Sequence, residues 1–339
     1  MSLDGRARDI LQVIVEAYID EAQAVSSAAV ARRGRALRLS PATIRSVMAE
    51  LEELGLLTQP HTSAGRIPTE LGLRTYLDGL MSPKLHPWDR SRLDATLQGG
   101  DLAEFPSSLG QSLAGLSGQV AVVAVPRFLG TRFREVGLVR CATGRFLALF
   151  VSPGGLVQHK LVEVDFDLKE TEITWVQNFL NERLRALTLA EARALVQQEL
   201  GRAEALRDTL TRQAFAICEQ ALPSSELRLL VQGAARLVEQ PEFADVEKLR
   251  SVLRAIDDHA ALLELLDRVL DGDGVQVVLG SEHQLGEATA LACVGSRWQS
   301  GNGDSGAVSL IGPQRMDYGR LVPMVRYAMQ LFEGYCERL

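Results

Sequence analysis

Between residues 40 and 69 the chain spells out a helix with both ends marked, followed at once by a segment that cannot continue it. Few folds accept that succession. Ser40 is a strong N-cap, Pro41 suits the first helical position because its missing N–H has no partner to lose there, and Gly55 supplies the stop. Ile44, Val47, Met48, Leu51 and Leu54 recur at the three-and-four spacing that gathers them on one face. Beyond Gly55, Pro60, Gly65 and Pro68 forbid a helix and leave room for two short strands around a turn.

The flanks extend this unit. Leu11, Ile14, Val15 and Tyr18 predict an amphipathic helix over residues 6–21, a short helix is expected over 27–34, and a fourth over 70–81. Helix, turn, helix and hairpin are the parts that a winged helix lays against DNA. The overall charge points the other way at first. The 339 residues carry 36 Lys and Arg against 43 Asp and Glu, a net −7, which excludes a protein that coats nucleic acid by bulk positive charge. Residues 1–85, however, hold ten basic and ten acidic side chains, so the remainder carries all of the −7. Within that neutral segment, residues 22–49 contain Arg32, Arg33, Arg35, Arg38 and Arg45 and no carboxylate, and residues 54–69 contain His61 and Arg66 and none. The two acid-free stretches coincide with the helix-turn-helix and the hairpin.

Opposite the apolar face of the third helix stand Ala42, Ser46 and Ala49, flanked by Thr43 and Arg45. Small side chains let a helix sink into a major groove. Arg45 and Ser46 can then reach base edges, and Ala42 or Ala49 can meet a thymine methyl. Free amides near Ser40 suit a phosphate. In the hairpin, His61, Thr62, Ser63 and Arg66 are the candidates for phosphate or minor-groove contact, and Arg32, Arg33, Arg35 and Arg38 for further phosphates.

The rest of the chain reads as mixed α and β. Prolines 83 and 87 mark a linker, and two weak helices lead to Val120–Val125, whose unbroken run of small and β-branched residues suits a strand buried on both faces. Residues 136–140, 145–151 and 156–164 form strand-like runs separated by short Gly-bearing loops, the pattern of an antiparallel meander. Residues 169–222 read as helical, with Ala203, Leu206, Leu210, Ala214, Ile217 and Ala221 as a stripe suited to a core or to a dimer seam. More helix is expected to residue 270, then strands near 275–279, 289–294 and 307–311, then a last helix carrying Val322, Val325, Met329, Phe332 and Cys336.

Five scattered histidines without ligand spacing, and no phosphate-binding loop or nucleophile elbow, argue against an enzyme, a catalytic residue, a metal or a cofactor. Asp271-Gly272-Asp273-Gly274 is read as a turn, because Gln276 stands where a calcium loop needs glycine. Four widely spaced cysteines, with neither an apolar leader nor an apolar run of about 18 residues, place the expectation in the cytoplasm and away from the membrane.

Three stretches carry a resemblance. They are Leu39-Ser40-Pro41-Ala42-Thr43-Ile44-Arg45-Ser46-Val47-Met48 with Leu51-Glu52-Glu53-Leu54-Gly55-Leu56-Leu57, then Gln59-Pro60-His61-Thr62-Ser63-Ala64-Gly65-Arg66-Ile67-Pro68-Thr69, and at the far end Ile311-Gly312-Pro313-Gln314-Arg315-Met316-Asp317-Tyr318. With them the chain resembles the heat-inducible transcription repressors called HrcA. The resemblance implies a cytoplasmic homodimer that binds an inverted-repeat operator in double-stranded DNA, represses chaperone operons, and depends on the chaperonin GroEL. It also implies an α+β multidomain architecture: a winged-helix DNA-binding domain over residues 1–85, a GAF-like α/β domain with an antiparallel sheet over 86–132 and 224–339, and an inserted α+β dimerising domain over 133–223. The alternative is a small-molecule-sensing transcriptional regulator acting through its GAF-like domain, a reading that rests on fold analogy.

Overall fold

The computed structural model describes residues 3–61, 64–79, 84–98, 104–126, 132–152, 157–203, 209–222, 227–282, 291–300 and 304–338. Thr62, Ser63, Pro83, Leu206 and the start of the strand expected at 289 lie outside the described residues. The molecule is mixed α and β and divides into two compact units. One comprises Met1–Val123, Leu229–Trp298 and Ala307–Phe332, and the other Ala124–Arg228, Gln299–Gly306 and Glu333–Leu339.

The first unit begins with α1 (Gly5–Glu21), α2 (Ser27–Arg33) and α3 (Pro41–Glu53), then the antiparallel strands β1 (Leu57–Thr58) and β2 (Ile67–Pro68), then α4 (Glu70–Gly79). Each of the first three helices has a side-chain cap: Asp4 accepts from the amide of Ala7 at 2.6 Å, Ser26 from Ala29 at 3.2 Å and Ser40 from Thr43 at 3.1 Å. Their apolar faces converge, with Ile10, Leu11, Ile14 and Val15 of α1 buried alongside Val30, Ile44, Met48 and Leu51. Val47 and Leu54, expected on the same face, are half-buried at its margin.

Next come α5 (Pro87–Gln98), α6 (Phe105–Ser117) and β3 (Val120–Pro126), which is buried along its whole length as its composition predicts. Later in the chain β7 (Leu227–Gln232), α10 (Val246–Asp257), α11 (His259–Asp271), β8 (Val275–Val278), β9 (Leu291–Gln299), β10 (Ser305–Pro313) and α12 (Tyr318–Cys336) complete the elements. Five strands form one sheet in the order β7-β3-β10-β9-β8, with β8 and β9 antiparallel. Trp298 stacks on Phe332 of α12 with ring centroids 4.4 Å apart, and Phe105 lies against the same ring at 5.7 Å. β7 corrects the sequence reading, which ran helix through this stretch: Leu227 to Gln232 takes its hydrogen bonds from a sheet neighbour distant in sequence.

The second unit holds the meander β4 (Glu135–Ala142), β5 (Arg145–Val151) and β6 (Val157–Glu163), antiparallel in that order, with α7 (Glu170–Leu184), α8 (Leu189–Ala203) and α9 (Thr209–Ala221). One face of the sheet is covered. Val136, Leu138, Phe146, Phe150 and Val162 are buried with Ile173, Leu180, Phe215 and Ile217 from the helices. Ala214, Ile217 and Ala221 of the expected stripe are therefore core residues.

Candidate nucleic-acid interface

The outward face of α3 carries the residues expected to read DNA. Ala42, Arg45 and Ser46 are exposed, and Thr43 and Ala49 are half-buried beside them. The start of the helix offers less to a phosphate than the sequence promised. Ser40 Oγ accepts the Thr43 amide and lies 2.9 Å from Thr43 Oγ1, Ile44 N–H donates to Ser40 O, and Pro41 has no N–H. Among the described residues Ala42 is left with the free amide of this first turn.

Acid-free in sequence is not acid-free in space. Arg33 donates to Asp20 at 2.7 Å and to Glu21 at 2.9 Å, both on the last turn of α1, and these hydrogen bonds hold its guanidinium above the ordinary arginine value. Arg33 is thus tied across α2 and α1 and is not an unpaired phosphate ligand. Arg32, Arg35, Arg38 and Arg45 are exposed, and among the described residues no carboxylate lies in ion-pair range of them. Arg38 takes a left-handed conformation, φ 51°, at the end of the turn that leads into α3.

The hairpin is fixed at its base. Arg66 exchanges both backbone hydrogen bonds with Val25 at 2.9 Å, extending the β1–β2 pair by one bridge. Its guanidinium donates through Nε to Glu52 of α3 at 2.8 Å, with the second nitrogen at 2.7 Å. Arg66 was expected on DNA. Its side chain instead braces the hairpin against the helix, in a half-buried position that leaves 18% of it exposed. At the tip, the Ala64 amide donates to His61 O and Gln59 Nε2 to Ala64 O, both at 2.9 Å, and His61 is exposed. Two glycines make the crossing possible: a Cβ at Gly65 would come within 2.4 Å of the Val25 carbonyl, and one at Gly72 within 2.1 Å of Leu56 O.

The arrangement presents a small-residue helix face and four uncommitted guanidinium groups, held by a capped helix and a braced hairpin. That combination suits recognition of a duplex groove flanked by phosphates. Among the described residues no three His, Cys, Asp or Glu side chains gather as a metal site, and no helix is long and apolar enough to cross a membrane.

The chain is similar to known proteins along nearly its whole length. The family model described as the HrcA protein C-terminal domain matches residues 107–322. The heat-inducible transcription repressor HrcA of Geobacter sulfurreducens is 35% identical over 338 residues, covering 99% of this chain and 98% of its own length. The protein of the same name from Syntrophobacter fumaroxidans is 36% identical, again over 99% of this chain and 98% of its own. A crystal structure of a hypothetical protein superposes over 99% of both chains with a TM-score of 0.59 at 22% identity, a likeness of fold.

Proposed function

The chain belongs to the HrcA family of heat-inducible transcription repressors, and from that premise we propose that it represses heat-shock genes by binding an inverted-repeat operator as a homodimer through α3 and the β1–β2 hairpin. In this reading the first 85 residues are a winged helix, the five-stranded sheet with its helices is a GAF-like domain, and residues 133–223 are an inserted dimerising domain. The observation that carries the reading is the exposed face of α3, where Ala42, Arg45 and Ser46 face solvent while Ile44, Met48 and Leu51 hold the opposite face in the core. Dependence on GroEL enters through family membership alone.

Selection of bound duplexes from a random library tests the reading. A two-fold symmetric sequence should emerge. Arg32, Arg35 and Arg38 supply three phosphate ligands per protomer, with Arg45 left for a base edge, so affinity for that sequence should fall with salt at a log–log slope of about −5 if all six in a dimer engage. A library that yields no symmetric site, or a slope near zero, would sink the proposal.

The dimer has a candidate surface in the uncovered face of the meander. Val139, Leu147 and Leu161 lie side by side across the three strands, and Val151 pairs with Val157. Val139, Leu161 and Val157 are 50%, 45% and 55% exposed, more apolar area than a solvated sheet face ordinarily shows. Val139→Lys with Leu161→Lys should leave each protomer folded and halve the mass seen by sedimentation at micromolar concentration. A mass equal to that of the unaltered protein would place the dimer contact elsewhere.

A further inference from the structure

The stretch Ile311–Tyr318 plays no part in the interface just described, yet it reaches the N-terminal helices. It forms the corner between β10 and α12, held by the fully buried Tyr318, whose hydroxyl donates to Gln314 O at 2.6 Å. From this corner Arg315 donates to Ile19 O on the last turn of α1, and through Nε to Glu242 at 2.5 Å. Arg315 and Glu242 are 13% and 22% exposed, so this is a largely shielded pair. Gln314 donates to the carboxylate of Glu70, the first residue of α4. One turn further along α4, Arg74 donates to Val277 O of β8 at 2.9 Å and to both carboxylate oxygens of Glu282. Tyr18, beside the first of these contacts, has its phenol pushed up by burial and by the Glu242 charge.

These contacts bind α1 at one end and α4 at two successive turns. A body held at one point pivots about it, whereas one held at three places on two helices keeps its direction. The third helix packs its buried face on α1, and Arg66 ties the hairpin to Glu52, so the direction of α1 is the direction of the whole reading surface. In a dimer, that direction sets where the second recognition helix falls along the duplex. Half-sites separated by the wrong number of base pairs are displaced along the axis and also rotated around it, by half a turn for about five base pairs.

We propose that Arg315, Gln314 and Arg74, with Glu242, Glu70 and Glu282, are positioning residues that fix the recognition helices relative to the five-stranded sheet and thereby set the half-site separation the repressor accepts. The inference rests on dimeric operator binding as proposed above. None of these side chains touches DNA. Their role is read most directly when spacing is varied.

The test uses the full-length protein and two single variants on independent tethers, R315Q and E282Q. The symmetric site selected by the unaltered protein is rebuilt with one to five base pairs inserted or removed between its halves, and as a single half-site. For the unaltered protein, insertion of about five base pairs should lower affinity by about 100-fold, to the level of the single half-site, because simultaneous engagement is lost. For each variant the same insertion should cost less than about 10-fold, with single half-site affinity unchanged and the matched site only moderately weakened by lost preorganisation. Spacing profiles that coincide with that of the unaltered protein would overturn the proposal. So would an equal loss on every duplex, the single half-site included, since that is the signature of a destabilised fold. Failure of the unaltered protein to select any two-fold site would instead remove the dimeric reading beneath it.

Discussion

Truncation of Phe332 to alanine should lower the stability of the first unit by about 3–5 kcal/mol, the usual cost of emptying an aromatic site in a packed core. The side chain has no solvent exposure and contacts two other aromatic rings, Trp298 at 4.4 Å and Phe105 at 5.7 Å, whose loss adds to the cavity. Because Phe332 lies on α12, Trp298 on β9 and Phe105 on α6, the three rings join one face of the sheet to two helices far apart in sequence. The midpoint of the urea transition should move down sharply with its slope retained. Phe332→Leu should recover most of the loss, to within about 1.5 kcal/mol. A loss below about 1 kcal/mol for the alanine variant would mean that these rings do not form the packed centre described above.

Arg45→Ala should reduce affinity for the selected operator by about 10- to 100-fold for each half-site, the discrimination carried by one good arginine–guanine contact, and leave random-sequence DNA nearly unaffected. Arg45 is the exposed cation on the reading face of α3. Its neighbour Ser46 offers only a hydroxyl, which accepts and donates with little preference among bases. Arg35→Ala provides the contrast: affinity should fall alike on operator and random duplexes, and the salt slope should lose about two units, one for each protomer of the dimer. Titration of both variants against both duplexes at several salt concentrations separates the roles. Equal losses for Arg45→Ala on the two duplexes would demote it from base reading to phosphate contact.

The parts of the fold that were legible in the sequence are those specified by neighbours in the chain. Ser40, Pro41 and Gly55 determine where α3 starts and stops without help from distant residues, and Gly65 and Pro68 place the hairpin in the same way. The meander was legible for the same reason, since Gly144 marks the β4–β5 turn with a left-handed φ of 67°. By contrast β7, Leu227-Arg228-Leu229-Leu230-Val231-Gln232, is leucine-rich and helix-compatible by local preference. It becomes a strand because a partner strand about a hundred residues earlier offers its edge.

The site divides along the same line. Exposure of Ala42, Arg45 and Ser46 followed from helical periodicity. The fates of Arg33 and Arg66 did not, because each is neutralised by carboxylates 12 to 14 positions away on another helix, a distance over which linear charge counting has no resolution. Among the described residues four exposed guanidinium groups therefore remain outside ion pairs where the sequence offered six. The one signal that was available is the carboxylate at Glu52, one of three acids near the end of an otherwise acid-free reading surface, which calls for a counter-charge nearby.

The hold on α1 and α4 has a thermal consequence. It runs through guanidinium, amide and carboxylate groups of Arg315, Gln314, Arg74 and their partners, while the cores on either side are apolar. Breaking such contacts hydrates polar surface, which contributes a small or negative heat-capacity increment, whereas opening an apolar core contributes a large positive one. As temperature rises, ionic groups also give up part of their hydration advantage, so these partly shielded ion pairs lose little strength. In a repressor of heat-inducible genes, the contacts that hold α1 and α4 are accordingly the ones whose strength changes least on warming.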